Sequence, residues 1–171
     1  ARKAIAGQIF PKLFIFIFYQ IKMRAQINLD YFITDKPNLI KEYRKSFLIN
    51  VDGETQKPDC DLLLYNLEKS EFIIFSLKTS LRERIGQTYK WKLLMEIASS
   101  ENNIKQKYNI QYNPKIIPLI CFATVNFYNE INNPQHRGMF KFFDKSFIGK
   151  PIDTKFISSL SNLVSYINAL L

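Results

Sequence analysis

The beginning of the chain is predominantly apolar and predicts one long, largely buried helix over residues 2–26. Pro11 lies within this stretch, so the helix either kinks at Pro11 or begins there, where proline is tolerated. A short helix is predicted over 36–44. Short apolar runs bounded by turn residues predict strands over 29–34, 47–51, 60–65 and 72–77. The last three strands are joined by turns at Asp52-Gly53 and at 66–70.

The second half of the chain adds helices and a further strand. A helix is predicted over 81–99, because Ser80 and Glu83 have the spacing of a capping box. The apolar run 116–125 predicts a strand, in which Pro118 indicates a sheet edge or a bulge. The polar segment 126–138 predicts a mobile loop. An amphipathic helix is predicted over 153–171, with an apolar stripe that favours core packing over a dimer interface: Phe156, Leu160, Leu163, Val164, Ile167 and Leu170.

These elements predict a single α/β domain over residues 1–171, in the order helix, three strands, helix, strand. The length allows one hydrophobic core, and a hydrophobic content of 47% argues against disorder. The chain begins with Ala1 and not with Met, so an upstream segment is left open as an expectation.

Composition narrows the classes of partner and of chemistry. The net charge of +9 favours an anionic partner, with nucleic acid ahead of a membrane surface. The apolar run 13–19 is too short to span a bilayer. The sequence predicts no basic amphipathic helix, which argues against binding to a membrane surface. His136 is the only histidine, which argues against a zinc-type site and against most histidine triads. Cys60 and Cys121 lie in apolar runs, as is typical of buried thiols in a reducing compartment.

Candidate chemistry lies at the ends of two predicted strands. If strands 60–65 and 72–77 pair through the turn between them, Asp59 lies opposite the neighbourhood of Lys78. Side chains alternate along a strand, so Asp61 points to the same face as Asp59, and Ser76 points to the same face as Lys78. Carboxylate, carbonyl and water oxygens suit Mg²⁺, and a lysine there could orient a water or neutralise charge on a phosphate. The alternative is a plain salt bridge between Asp59 and Lys78.

Two polar regions could contact nucleic acid. Ser80, Arg82, Arg84 and Gln87 cluster where the helix over 81–99 begins, and helix N-termini favour anions. The alternative is a solvated first turn. The segment 126–137, which ends at Arg137, carries side chains suited to base edges, although a solvated loop is the favoured explanation.

The residues Pro58-Asp59, followed by Ser-Leu-Lys-Thr-Ser-Leu-Arg-Glu-Arg over 76–84, resemble the active-site signature of Type II restriction endonucleases in the PD-(D/E)xK nuclease superfamily. The predicted order of elements over about 1–123 also resembles the superfamily core. The resemblance implies a restriction-endonuclease-like core, in which a central mixed sheet is flanked by helices. It further implies Mg²⁺-dependent cleavage of double-stranded DNA, usually by a dimer, in the cytoplasm of a bacterium or archaeon.

Carried over by position, the resemblance makes Asp59 a metal-binding acid and Lys78 the catalytic lysine. Ser76 stands at a catalytic position where the superfamily commonly has Asp or Glu. Asp61 is the preferred replacement, with the backbone carbonyl of Leu77 as a further metal ligand. Glu83 is a possible auxiliary acid, although its capping-box position explains it more simply.

Three functions remain open from the sequence. The leading one is a sequence-specific DNA endonuclease acting as a homodimer, because cleavage of both strands by a single-site chain needs two copies. The second is a structure-specific repair nuclease on the same core. The third is a DNA- or RNA-binding module with weak or lost catalysis, which Ser76 and Pro11 favour because both depart from the superfamily pattern.

Overall fold

A computed structural model describes residues 2–24, 32–34, 36, 40–66, 69–80, 85–126 and 129–170 of the chain. The described helices are α1 (Arg2–Met23), α2 (Lys41–Phe47), α3 (Ile85–Ser99), α4 (Asn103–Lys107), α5 (Pro134–Phe140) and α6 (Leu163–Leu170). The described strands are β1 (Phe32–Thr34), β2 (Ile49–Val51), β3 (Glu54–Gln56), β4 (Leu62–Asn66), β5 (Glu71–Lys78), β6 (Ile110–Gln111), β7 (Leu119–Thr124), β8 (Lys145–Ile148) and β9 (Ile157–Ser159).

A central mixed sheet organises the fold, in the order β1-β4-β5-β7-β8-β9 among the described strands. β4 pairs antiparallel with both β1 and β5, whereas the pairs β5–β7, β7–β8 and β8–β9 are parallel. The inner strands β4, β5 and β7 are almost wholly buried, as expected for apolar strands covered on both faces. The predicted α/β class and restriction-endonuclease-like core are therefore confirmed.

Helices cover both faces of this sheet. On one face, α1 and α6 pack against side chains such as Leu64, Phe75 and Phe147. On the other face, α2, α3 and α5 pack against side chains such as Ile74 and Phe122. Ser76 and Lys78 continue the alternation of Ile74 along β5, so they face the side of the sheet that carries α3.

The long first helix forms over Arg2–Met23 and continues through Pro11, which lies inside it. The prediction that this helix is largely buried is wrong, because apolar side chains such as Phe16 and Met23 are 58% and 82% exposed. Phe10, Phe14 and Phe18 recur every four residues and are buried on the sheet. The alternative that the helix begins at Pro11 is wrong, because α1 already begins at Arg2. The end of the predicted helix, over 25–26, lies outside the described residues.

The strand predicted over 47–51 forms as β2 but belongs to a second, smaller antiparallel sheet, β3-β2-β6. The turn from β2 to β3 contains Asp52 and Gly53, both with positive φ (49° and 90°), as its sequence predicts. The Asn50 Oδ1 accepts a hydrogen bond from the Gly53 N–H at 2.8 Å. β3 and β6 were not predicted, because neither has the apolar run that marks a strand.

Several boundaries differ from the predictions. The helix predicted over 36–44 is α2, which begins at Lys41, and the helix predicted over 81–99 is described from Ile85. The strand predicted over 29–34 is described only as β1, over Phe32–Thr34. The strand predicted over 116–125 is β7, which is an inner strand. The interpretation of Pro118 as an edge or bulge is wrong, because this proline precedes the strand and removes no ladder hydrogen bond from it.

The prediction of a loop over 126–138 is also wrong. Glu130–Asn132 forms a 3-10 turn, and α5 begins directly after it. Asn133 caps α5 by accepting a hydrogen bond from the Gln135 N–H at 2.8 Å, and Pro134 occupies the first helical position. The C-terminal helix is shorter than predicted, because residues 157–159 pair with β8 as strand β9.

Candidate active site

The β4–β5 hairpin brings two aspartates to one lysine. The strands pair antiparallel, with Leu62 opposite Phe75, and the Asp61 N–H donates to the Phe75 carbonyl at 3.1 Å. Lys78 Nζ donates to Asp59 Oδ2 at 3.0 Å and to Asp61 Oδ2 at 2.7 Å. The predicted proximity of Asp59 and Lys78 is therefore confirmed. The catalytic roles of these residues stay predictions.

The Asp61 carboxylate is held by a second contact. Its Oδ2 accepts a hydrogen bond from the Leu77 N–H at 2.8 Å, in addition to that from Lys78. Within a strand, the C=O and N–H of one residue lie on the same side. The Leu77 carbonyl is therefore directed to the same side of β5 as its N–H, which is the side of Asp61.

The three side chains differ in exposure. Lys78 is 9% exposed, Asp61 is 22% exposed and Asp59 is 56% exposed. The lysine is therefore covered by protein, whereas Asp59 faces solvent. A ligand that approaches from solvent meets Asp59 first, and the buried ammonium lies behind it.

A cleft of about 430 Å³ adjoins Asp59. Its other lining residues belong to one face of α3: Gln87, Lys90, Trp91 and Leu94. Of these, only Gln87 was predicted from the sequence to contact DNA, and its side chain is exposed. The spacing i, i+3, i+4, i+7 from Gln87 places all of them on one helix face, and this spacing could have identified Lys90 and Trp91.

Ser76 lies at the interface between β5 and α3. It is fully buried, and its Oγ lies 3.3 Å from Thr88 Oγ1 of α3. The Ser76 hydroxyl therefore contacts the helix and helps to fix α3 against the sheet. Thr88 was missed in the sequence analysis, because nothing in the chain's pattern distinguishes it from other polar residues of the helix.

The predicted DNA-binding residues have different positions. Ser80 is half-buried and lies two residues beyond Lys78 in the sequence. Arg137 is exposed on α5, and its Nη1 donates to the carbonyls of Ile131 at 3.4 Å and Asn132 at 3.0 Å. Arg82, Glu83 and Arg84 lie outside the described residues.

Cys60 lies between the two aspartates in sequence and has no disulfide partner. Burial, reinforced by the negative charges of Asp61 and Asp59, raises the pKa of the Cys60 thiol well above its usual range. The thiol therefore stays protonated at neutral pH and supplies neither a thiolate nucleophile nor a soft metal ligand. Within the described ranges, no group of three or more His, Cys, Asp or Glu side chains is positioned to hold a metal ion.

The family model described as BsaWI restriction endonuclease type 2 matches residues 38–166, well over half of the chain. The chain belongs to this family. The match includes the β4–β5 hairpin and α3, and it confirms the resemblance to Type II restriction endonucleases. A comparison with curated proteins finds no match.

Membership of the BsaWI family makes this chain a restriction endonuclease, a hydrolase that binds and cleaves DNA. Type II restriction endonucleases generally use a divalent metal ion. Within the part of the chain that the structure describes, no helix has the length and apolar character needed to cross a membrane.

Proposed function

We propose that this chain hydrolyses phosphodiester bonds of double-stranded DNA at a specific sequence, with Mg²⁺ bound by Asp59 and Asp61. The observation that carries the proposal is the convergence of both carboxylates on Lys78, at 3.0 Å and 2.7 Å, beside an open cleft. Membership of the BsaWI family supports DNA as the substrate.

The residues at the hairpin fit Mg²⁺. Mg²⁺ prefers hard oxygen ligands and is usually bound by one or two carboxylates, with waters and substrate phosphates completing its coordination. Asp59 and Asp61 supply the carboxylates, and the carbonyl of Leu77 is the proposed third protein ligand. The chemistry that a bound Mg²⁺ supplies is polarisation of the scissile phosphate and a lower pKa for a water.

Lys78 is the proposed catalytic cation. Its ammonium is fixed by two hydrogen bonds and is only 9% exposed, so its charge is weakly screened by solvent. A cation held in this way stabilises the additional negative charge that develops on the phosphate during attack by water. Ser76, at the acid position, is proposed to act by holding α3 beside Lys78.

The DNA contacts are proposed to lie around the cleft. Gln87 lines the cleft itself, Ser80 follows Lys78 by two residues, and Arg82 and Arg84 precede α3 in the sequence. Arg137 is proposed to contact DNA from α5. Glu83 remains the proposed auxiliary acid should Asp61 fail as a ligand.

The assembly proposed for cleavage is a homodimer, in which residues 1–171 of each chain form one nuclease domain. One hairpin site serves one strand, so cutting a duplex at one place needs two sites, and a twofold axis provides them. We place the enzyme in the cytoplasm of a bacterium or archaeon, where a restriction enzyme meets incoming DNA.

The experiment is incubation of the purified protein with phage DNA in Mg²⁺ or in EDTA, followed by sequencing of fragment ends. Discrete fragments that require Mg²⁺ and share one terminal sequence are expected. Asp59→Asn should remove them, whereas Asp52→Asn, at the exposed β2–β3 turn, should not. Fragments that form equally in EDTA would contradict the proposal.

One observation favours a second candidate, a DNA-binding module without catalysis. Ser76 provides no carboxylate and is committed to Thr88 by its buried contact. Under this alternative, the protein binds duplex DNA but yields no fragments at any Mg²⁺ concentration, and Asp59→Asn leaves binding unchanged.

A further inference from the structure

We infer that Lys78 and a divalent metal ion compete for the same carboxylate pair in the DNA-free protein, so that the ammonium keeps the pair in a low-affinity state. The inference rests on the proposed function, because it concerns the same site. It adds a second role for Lys78, which acts before any DNA is bound.

The first argument is the position of the ammonium. Lys78 Nζ lies 3.0 Å from Asp59 Oδ2 and 2.7 Å from Asp61 Oδ2, so it bridges the two oxygens. A magnesium ion bound to these oxygens would lie about 2 Å from each of them. The ion and the bridging ammonium would then be separated by only a few ångströms, and their positive charges would repel each other strongly.

The second argument is burial. A surface lysine would move aside into water at little cost, but Lys78 is only 9% exposed. Asp61, its closer partner, is also held by the Leu77 N–H at 2.8 Å. Metal binding through both carboxylates must therefore break a mostly buried ion pair, and this cost lowers the metal affinity.

The third argument is the local charge. Asp59 and Asp61 together carry two negative charges, and Lys78 cancels one of them. Removing the lysine charge therefore doubles the net negative charge that attracts a divalent ion.

The experiment measures Mn²⁺ binding to DNA-free protein by electron paramagnetic resonance, in which free Mn²⁺ gives the signal. Mn²⁺ is a suitable probe, because it shares with Mg²⁺ a preference for carboxylate and water ligands. Lys78→Met removes the charge and keeps an unbranched, flexible side chain of similar length. Lys78→Arg is the matched variant that keeps the charge.

Lys78→Met is expected to bind Mn²⁺ at least tenfold more tightly than the unmodified protein, whereas Lys78→Arg should stay within about threefold of it. Adding Asp61→Asn to Lys78→Met should abolish the gain. Lys105→Met, which removes a lysine charge on α4, should leave Mn²⁺ affinity unchanged. Thermal unfolding by circular dichroism checks that each variant is folded.

Equal gains for Lys78→Met and Lys78→Arg would overturn the inference, because the charge would then not be the cause. Unchanged or weaker Mn²⁺ binding by Lys78→Met would also overturn it. If the unmodified protein nevertheless cleaves DNA with Mg²⁺, the proposed function survives this failure. If no variant binds Mn²⁺ and the unmodified protein cuts no DNA, both fail together.

Discussion

Asp61→Asn separates the structural role of this side chain from its proposed metal-binding role. The substitution keeps the shape but removes the charge. An amide oxygen in the place of Oδ2 can still accept the hydrogen bond from the Leu77 N–H, now 2.8 Å long. Lys78 keeps its second partner, Asp59, at 3.0 Å. The fold should therefore tolerate the change, whereas metal binding should not.

The magnitudes differ enough to be told apart. A hydrogen bond to a charged group contributes about 1.5–3 kcal/mol and a neutral one about 0.5–1.5 kcal/mol, so the free energy of unfolding should fall by about 1 kcal/mol. For a chain of this size, that corresponds to a fall in Tm of about 2–4 °C. The loss of one of the two carboxylate ligands should slow cleavage at least 100-fold, or about 2.7 kcal/mol in the activation free energy.

The assay compares single-turnover cleavage of a DNA fragment that the unmodified protein cuts with urea unfolding of the same preparations. Asp52→Asn is the control, because Asp52 has a φ of 49° that asparagine tolerates, and neither quantity should change by more than a small factor. Cleavage by Asp61→Asn within threefold of the unmodified rate would refute the metal-ligand role of Asp61. Glu83 would then become the leading second acid.

Three further predictions concern other groups. Asp144→Ala should lower the free energy of unfolding, measured in urea, by about 2–4 kcal/mol. The reason is that Lys92 Nζ lies 2.7 Å and 2.8 Å from the two carboxylate oxygens of Asp144 in a mostly buried ion pair. A loss below about 0.5 kcal/mol would contradict this. Ser76→Ala should lower the free energy of unfolding by about 1 kcal/mol in the same assay, and its cleavage rate should stay within fivefold of that of the unmodified protein. A cleavage rate 100-fold slower would instead mean that the hydroxyl takes part in the reaction. Burial raises the pKa of Tyr112 above its usual value, so the folded state keeps this proton when the unfolded state has lost it. The free energy of unfolding should therefore fall as the pH rises above about 10, and it should fall less steeply in Tyr112→Phe. The same dependence on pH in both proteins would contradict the role of the Tyr112 proton.

The hairpin that forms the candidate site was predictable, because local rules determine it. Alternation along β5 and the short connection to β4 fix the register, and this register brings Asp59 and Asp61 to Lys78. The predicted strands and the turn between them are sufficient to place these residues. Residues close in a hairpin are the simplest tertiary contacts to predict.

Elements stabilised mainly by tertiary contacts were not predictable. β8 (Lys145–Ile148) has too few apolar residues to be recognised, and β9 (Ile157–Ser159) also fits the apolar stripe of a helix. Both segments form strands because β8 pairs with β7, and β9 pairs with β8, in the central sheet. α5 carried clear start signals in Asn133 and Pro134, but the polar composition around them favoured a loop.

The role of Ser76 required the structure. Its alternation with Lys78 correctly predicted that both side chains point to the same face of β5, but no pattern indicated that Thr88 of α3 lies opposite Ser76. The face of α3 that lines the cleft could have been predicted from helical spacing once Gln87 was a candidate, because Trp91 follows Gln87 by four residues.

The most direct test of the account is cleavage of phage DNA in Mg²⁺ by three proteins, the unmodified chain, Lys78→Ala and Lys105→Ala. Lys105 pairs with Glu101 on the surface, so its loss matches the charge change without touching the hairpin. The account predicts discrete fragments from the unmodified chain and from Lys105→Ala, and at least 100-fold fewer from Lys78→Ala. Equal cleavage by Lys78→Ala would contradict an active site built on Asp59, Asp61 and Lys78.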